Sequence, residues 1–114
     1  MRLLLLGANG QVGHELRSAL APLGEVIPAT RSGRLPDGAV AEVADLAAPA
    51  SLAGLVERVA PDLVVNAAAY TAVDRAETER DLAFRVNAEA PGLLGQACAK
   101  AGIGLVHFST DYVF

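Results

Sequence analysis

Three glycines, Gly7, Gly10 and Gly13, separate two segments of different periodicity, and that junction admits few architectures. Before it, Arg2 to Leu6 is a short apolar run, the pattern of a strand buried on both faces. After it, Gln11 to Leu20 is predicted to be helical, with Val12, Leu16, Ala19, Leu20 and Leu23 on one face. The alternation continues along the chain. Pro22 and Gly24 end the helix, Glu25 to Ala29 resumes strand character, and Arg31 to Gly38 is a polar loop. A third short strand is expected within Val40 to Ala44, with Asp45 at its end. Pro49 opens a helix whose apolar face is Leu52, Leu55, Val56 and Val59. Leu63 to Val65 is the fourth strand, closed by Asn66. Asp81 to Lys100 is helical and stopped by Gly102, and Leu105 to Phe108 is the fifth strand. Strands that alternate with helices and read as continuous apolar runs predict an α/β fold, a doubly wound parallel sheet covered on both faces.

The bulk numbers suit that architecture and exclude others. At 114 residues the chain holds one domain. Apolar residues make up 53% of it and aromatics 4%, so Leu, Val and Ala must build the core. The net charge is -4, and the nine basic residues never adjoin one another, which argues against a nucleic-acid surface. No window approaches the roughly 20 apolar residues of a membrane span, and Leu3 to Leu6 runs into glycines rather than a cleavage site. A soluble, cytoplasmic protein is expected. The single cysteine, Cys98, cannot form an internal disulfide and reads as a small core residue. His14 and His107 have no carboxylate or thiol at ligand spacing, so no metal site is expected.

The spacing Gly7-x-x-Gly10-x-x-Gly13 has a chemical consequence. Gly7 permits a tight exit from the strand, Gly10 leaves room for a diphosphate, and Gly13 lets the helix approach the strand. The N–H groups of Gln11 and Val12 then point at the phosphates with the helix dipole behind them. A glycine triplet also occurs as a plain turn, but the strand–turn–helix context favours a Rossmann-type dinucleotide site over a flavodoxin-like or receiver fold. An acidic residue at the end of the second strand would bind the ribose 2′-hydroxyl of NADH. Here the chain reads Pro28-Ala29-Thr30-Arg31-Ser32, without a carboxylate. Arg31 can meet a 2′-phosphate instead, or be a solvated loop residue. NADPH is therefore expected in preference to NADH. Two further turns, Asn66-Ala67-Ala68-Ala69-Tyr70-Thr71 and Ser109-Thr110-Asp111-Tyr112, follow the fourth and fifth strands at the same sheet edge.

Together these segments resemble the extended short-chain dehydrogenase/reductase superfamily, and within it the dTDP-4-dehydrorhamnose reductase family. The resemblance rests on Gly7-x-x-Gly10-Gln11-Val12-Gly13, Asn66-Ala67-Ala68-Ala69-Tyr70-Thr71-Ala72-Val73-Asp74-x-Ala76-Glu77, Val86-Asn87-Ala88-x-Ala90-Pro91 and Ser109-Thr110-Asp111-Tyr112-Val113-Phe114. It implies that Gly10, Gln11 and Val12 hold the pyrophosphate and that Asp45 and Leu46 border the adenine. It further implies that Ala68, Ala69, Tyr70 and Thr71 line the cofactor, with Phe108 beneath. Thr110 matches the hydroxyl residue of the family's catalytic trio, and Asp111 lies beside it at the nucleotide-sugar substrate. Members that use NADH often carry an acid where this chain has Thr30.

The family's proton donor is a Tyr with a Lys four residues later, and no such pair is present: Asp74 follows Tyr70 at that distance, and the sole lysine is Lys100. Residues 1–114 are thus expected to be a partial NAD(P)-binding domain of a longer reductase, binding cofactor weakly and turning over nothing alone. The alternative is a non-catalytic nucleotide-binding regulatory subunit of the same fold. Pro91 deprives the Asn87 carbonyl of its helical partner, which leaves either a hydrated kink or a water site for a proton relay. The Arg75, Glu77, Glu79, Arg80, Asp81, Arg85 group reads as a solvated face, or as a subunit contact of a homo-oligomer.

Overall fold

In a computed structural model of the chain, residues 1–45, 48–67 and 89–107 are described. Five strands form one parallel sheet: β1 (Arg2–Leu6), β2 (Glu25–Thr30), β3 (Glu42–Val43), β4 (Leu63–Asn66) and β5 (Gly104–His107), in the order β3-β2-β1-β4-β5. The helices described are α1 (Gln11–Leu20), α2 (Leu52–Val59) and α3 (Ala90–Ala101). Chain direction reverses its march across the sheet after β3, so β1 and β4 become neighbours at the centre. A crevice outside the carboxyl ends of such a pair is where α/β sheets bind ligands.

The unbroken apolar character of β1 follows from its two covered faces. Leu3, Leu4, Leu5 and Leu6 are all fully buried, and successive side chains point to opposite sides. Leu4 and Leu6 join Ala29 and Val64 under α2 and α3, where Leu52, Leu55, Val56, Val59, Leu94 and Cys98 complete one core. Leu5 and Val65 face the other way, against Ala8, Leu35 and the α1 residues Leu16 and Leu20. The predicted face of α2 is buried in full.

The predicted face of α1 is only partly correct. Leu16 and Leu20 are half-buried, but Ala19 is exposed and Leu23 is 58% exposed. The buried side is centred on Gly13, Leu16 and Leu20, because Gly13 draws that side of the helix onto the glycine turn. Beyond Leu20 the chain tightens into a 3-10 turn, Ala21–Leu23. Fewer residues per turn rotate Leu23 off the stripe. Pro49 likewise opens a 3-10 turn, Pro49–Ser51, with the α-helix proper beginning at Leu52.

β5 runs one residue earlier than expected at its start, and Phe108 lies outside the described residues. So does the first part of the long helix, Asp81 to Ala88, including Asn87 of the proposed water site and the Arg75 to Arg85 charge group. Pro91 stands in the first turn of the described α3. At the amino edge, the Arg2 N–H donates to the Asp62 carboxylate at 2.7 Å, and Arg58 on α2 reaches Glu42 of β3 at 3.0 Å.

Candidate functional site

The carboxyl edge of the sheet brings three loops together by register alone. Leu6 is opposite Ala29 on one side and Asn66 on the other, and Asn66 is opposite His107. Gly7 and Ala67 therefore leave the sheet level with Thr30, and Arg31 follows one residue beyond. Backbone hydrogen bonds join them: the N–H groups of Gly7 and Ala8 donate to the Ala29 carbonyl at 2.9 and 3.3 Å, and the Ala67 N–H donates to the Leu6 carbonyl at 3.0 Å.

Each glycine of the first loop has a different reason to be glycine. Gly7 has φ +77°, a backbone state that side chains disfavour, and it turns the chain out of β1. A Cβ on Gly13 would collide with the Gly7 carbonyl oxygen and come within 2.8 Å of the Ala8 Cα, so the helix could not seat on the turn. Gly10 is different. Its φ of -79° and ψ of 172° suit any residue, and among the described residues a Cβ there would meet only the Gly7 carbonyl oxygen, at an ordinary 3.5 Å. The described residues around it impose no demand for glycine at position 10, and the residue is exposed.

Gly10 is also the N-cap of α1, and no side chain caps the helix. The first helical N–H groups belong to Gln11, Val12 and Gly13, and groups of this kind at a helix start favour an anion. The Gly10 N–H is turned back to the Gly7 carbonyl at 3.1 Å, which closes the loop and sets the direction of the helix start. The loop thus presents a bare backbone surface, a fixed set of donors and the positive helix end. Such an arrangement can hold an anion against the backbone.

Arg31 is exposed, one residue past the end of β2. Asp45, half-buried, follows β3 on the same edge. These two, with Gly7, Gly10, Gln11, Val12 and Gly13, are the expected cofactor residues that the described structure holds, and it gathers them along one edge. Leu46, Ala68, Ala69, Tyr70, Thr71, Phe108, Thr110 and Asp111 lie outside the described residues. Among the described residues, no group of three His, Cys, Asp or Glu side chains could hold a metal ion, and no helix is long and apolar enough to cross a membrane.

Two features of the site escaped the reading of the sequence. The Asn66 Nδ2 lies 3.2 Å from the His107 Nδ1, tying together the ends of β4 and β5. The 41-residue separation hides this pair until the strands are known to be neighbours. The second is the inward turn of the Thr30 side chain. The residue is 1% exposed, and its hydroxyl is engaged by the loop that carries Arg31. A lone threonine at a strand end has no signature that distinguishes it from any other strand residue.

The family model described as the RmlD substrate binding domain matches residues 1–114. A dTDP-4-dehydrorhamnose reductase of Burkholderia thailandensis is 51% identical over all 114 residues, and the chain covers 35% of that protein. The Escherichia coli K12 reductase of the same name is 42% identical over the whole chain, which covers 36% of it. Among solved structures, a hypothetical dTDP-4-dehydrorhamnose reductase from Sulfolobus tokodaii superposes with a TM-score of 0.84 at 38% identity, covering 100% of this chain and 41% of that one. The Bacillus anthracis reductase in complex with NADP gives 0.79 at 34% identity, with 99% of this chain and 37% of that one covered. The chain spans about a third of the length of the curated relatives it matches.

Proposed function

We propose that this chain, which belongs to the RmlD substrate binding domain family, forms the dinucleotide-binding portion of an NADPH-dependent dTDP-4-dehydrorhamnose reductase. The observation that carries the reading is Gly10: an unstrained, exposed glycine that packing among the described residues does not require, set at a helix start without a side-chain cap. A diphosphate in contact with the backbone accounts for both properties. The NADP bound to the Bacillus anthracis relative is the cofactor this cradle suits.

Bound there, the nicotinamide would supply a hydride for reduction of the 4-keto group of a dTDP-deoxysugar, the step leading to dTDP-L-rhamnose. The chain's own residues bind and orient. Gln11 and Val12 donate backbone N–H groups to the pyrophosphate, Arg31 meets the 2′-phosphate, and Asp45 with Leu46 borders the adenine. Ala68, Ala69, Tyr70 and Thr71 line the path to the nicotinamide, with Phe108 beneath. Thr110 donates a hydrogen bond to the substrate oxygen, and Asp111 contacts the sugar nucleotide. Membership of the extended short-chain dehydrogenase/reductase superfamily and a cytoplasmic location, where NADPH and free thiols coexist, complete the reading.

Fluorescence titration of NADPH and NADH against the wild type and Gly10→Val tests it. The branched side chain occupies the space of the diphosphate, so both cofactors should bind at least about tenfold more weakly, a loss of about 1.4 kcal/mol. Equal binding by the two proteins would place the cofactor elsewhere.

A further inference from the structure

We infer that Thr30 is a positioning residue for cofactor selectivity, acting through Arg31 without itself touching the cofactor. The inference deepens the reading of Arg31 as the partner of a 2′-phosphate and rests on it. Thr30 occupies the strand-end position at which a dinucleotide site built for NADH would carry an acid. Its side chain is turned inward. The Oγ1 donates to the Arg34 carbonyl at 2.9 Å and accepts from the N–H groups of Gly33 and Arg34, both at 3.0 Å. A hydroxyl has one proton and two lone pairs, so these three bonds use its whole capacity. Nothing is left for a ribose hydroxyl. At 1% exposure Thr30 is the buried post around which residues 31–34 close.

The backbone completes that turn. The Gly33 carbonyl accepts from Ala41 at 2.8 Å, the Thr30 carbonyl accepts from Ala44 at 2.9 Å, and Arg34 bridges Val40. Gly33 has φ +78°, and a Cβ there would lie 2.9 Å from the Val43 Cγ2. The turn is thereby fastened to β3 on one side, while the Ala29 carbonyl fastens the other side to the glycine loop. Arg31 and Ser32 stand exposed at the tip between these two anchors. A guanidinium on a closed turn loses less freedom when it meets a phosphate than one on a loose loop. Thr30 therefore raises affinity for NADPH and leaves NADH, which has no 2′-phosphate, nearly untouched.

The test measures dissociation constants for both cofactors in the full-length protein carrying Thr30→Val, Thr30→Ser, Arg31→Ala, and Thr30→Val with Arg31→Ala. Val keeps the shape and removes the hydroxyl. It should weaken NADPH about fivefold or more with NADH unchanged within about twofold. Ser, which restores the hydroxyl, should return both to wild type. The double variant should bind NADPH no more weakly than Arg31→Ala alone, because the two residues act in series. Should Thr30→Val fail to fold, Gly33→Ala distorts the same turn and should reproduce the NADPH-selective loss. Equal weakening of both cofactors, or no change at all, overturns the positioning role. If Arg31→Ala costs NADPH selectively and the Thr30 and Gly33 variants do not, the positioning role fails and the 2′-phosphate reading stands. If Arg31→Ala causes no selective loss, the reading beneath it has failed as well.

Discussion

The different tasks that the spacing assigns to Gly10 and Gly13 predict different outcomes for the same substitution. Gly13→Ala drives a methyl into the Gly7 carbonyl and the Ala8 backbone. It should destabilise the fold by about 1–3 kcal/mol, the cost of an overpacked contact, and weaken NADPH as the helix start shifts. Gly10→Ala meets no close atom among the described residues, so its thermal midpoint should stay at wild type while NADPH affinity falls. Thermal unfolding with and without NADPH separates the two. Cys98 supplies a pH-dependent test at the same scale. Burial pushes its thiol pKa above the usual value. The folded state then holds the proton where the unfolded chain, near pH 8.5, releases it. The sign follows: this contribution is complete below the unfolded pKa and is lost as pH rises through the folded one. The wild type should lose more urea stability than Cys98→Ala between neutral and strongly alkaline pH. A thiol reagent should label Cys98 only as fast as the protein opens.

The second helix shows how far an element can be read locally. The apolar spacing of Leu52, Leu55, Val56 and Val59 predicted its buried face, and all four are buried. Its end was less legible. Ala60 stands in the left-handed region at φ +49°, donating its N–H to the Val56 carbonyl at 2.9 Å, a position that glycine ordinarily fills. Ala60→Gly should therefore stabilise the protein by about 1 kcal/mol, read as a higher urea midpoint with unchanged slope. In α1, by contrast, the periodicity named Ala19 and Leu23, and neither is buried. The helix is oriented by one close contact at Gly13, and a periodic pattern holds no record of such a contact.

Across the whole molecule, β5 is the outer strand of the sheet on its side among the described residues, and Val106 is 40% exposed on it. An apolar edge strand invites pairing with a second chain. In the isolated 114-residue chain, Val106→Lys should reduce light scattering on concentration and leave the thermal midpoint nearly unchanged. A variant that aggregates as readily as wild type would show that β5 is not the exposed edge.

At this scale the division between chain and fold is clear. The glycine spacing, the apolar strands and the helix periods were local, repeated signals, because solvent exclusion acts on every strand and helix turn in the same way. From them the glycine turn between β1 and α1 could be named, as could the strand ends that put Arg31 and Asp45 on one edge. The inward-facing hydroxyl of Thr30 and the Asn66–His107 pair could not be named. Each is a single contact between backbone segments that become neighbours when strand register and loop closure are set. Only the folded molecule holds that geometry, because close packing at one point leaves no period for a sequence to repeat.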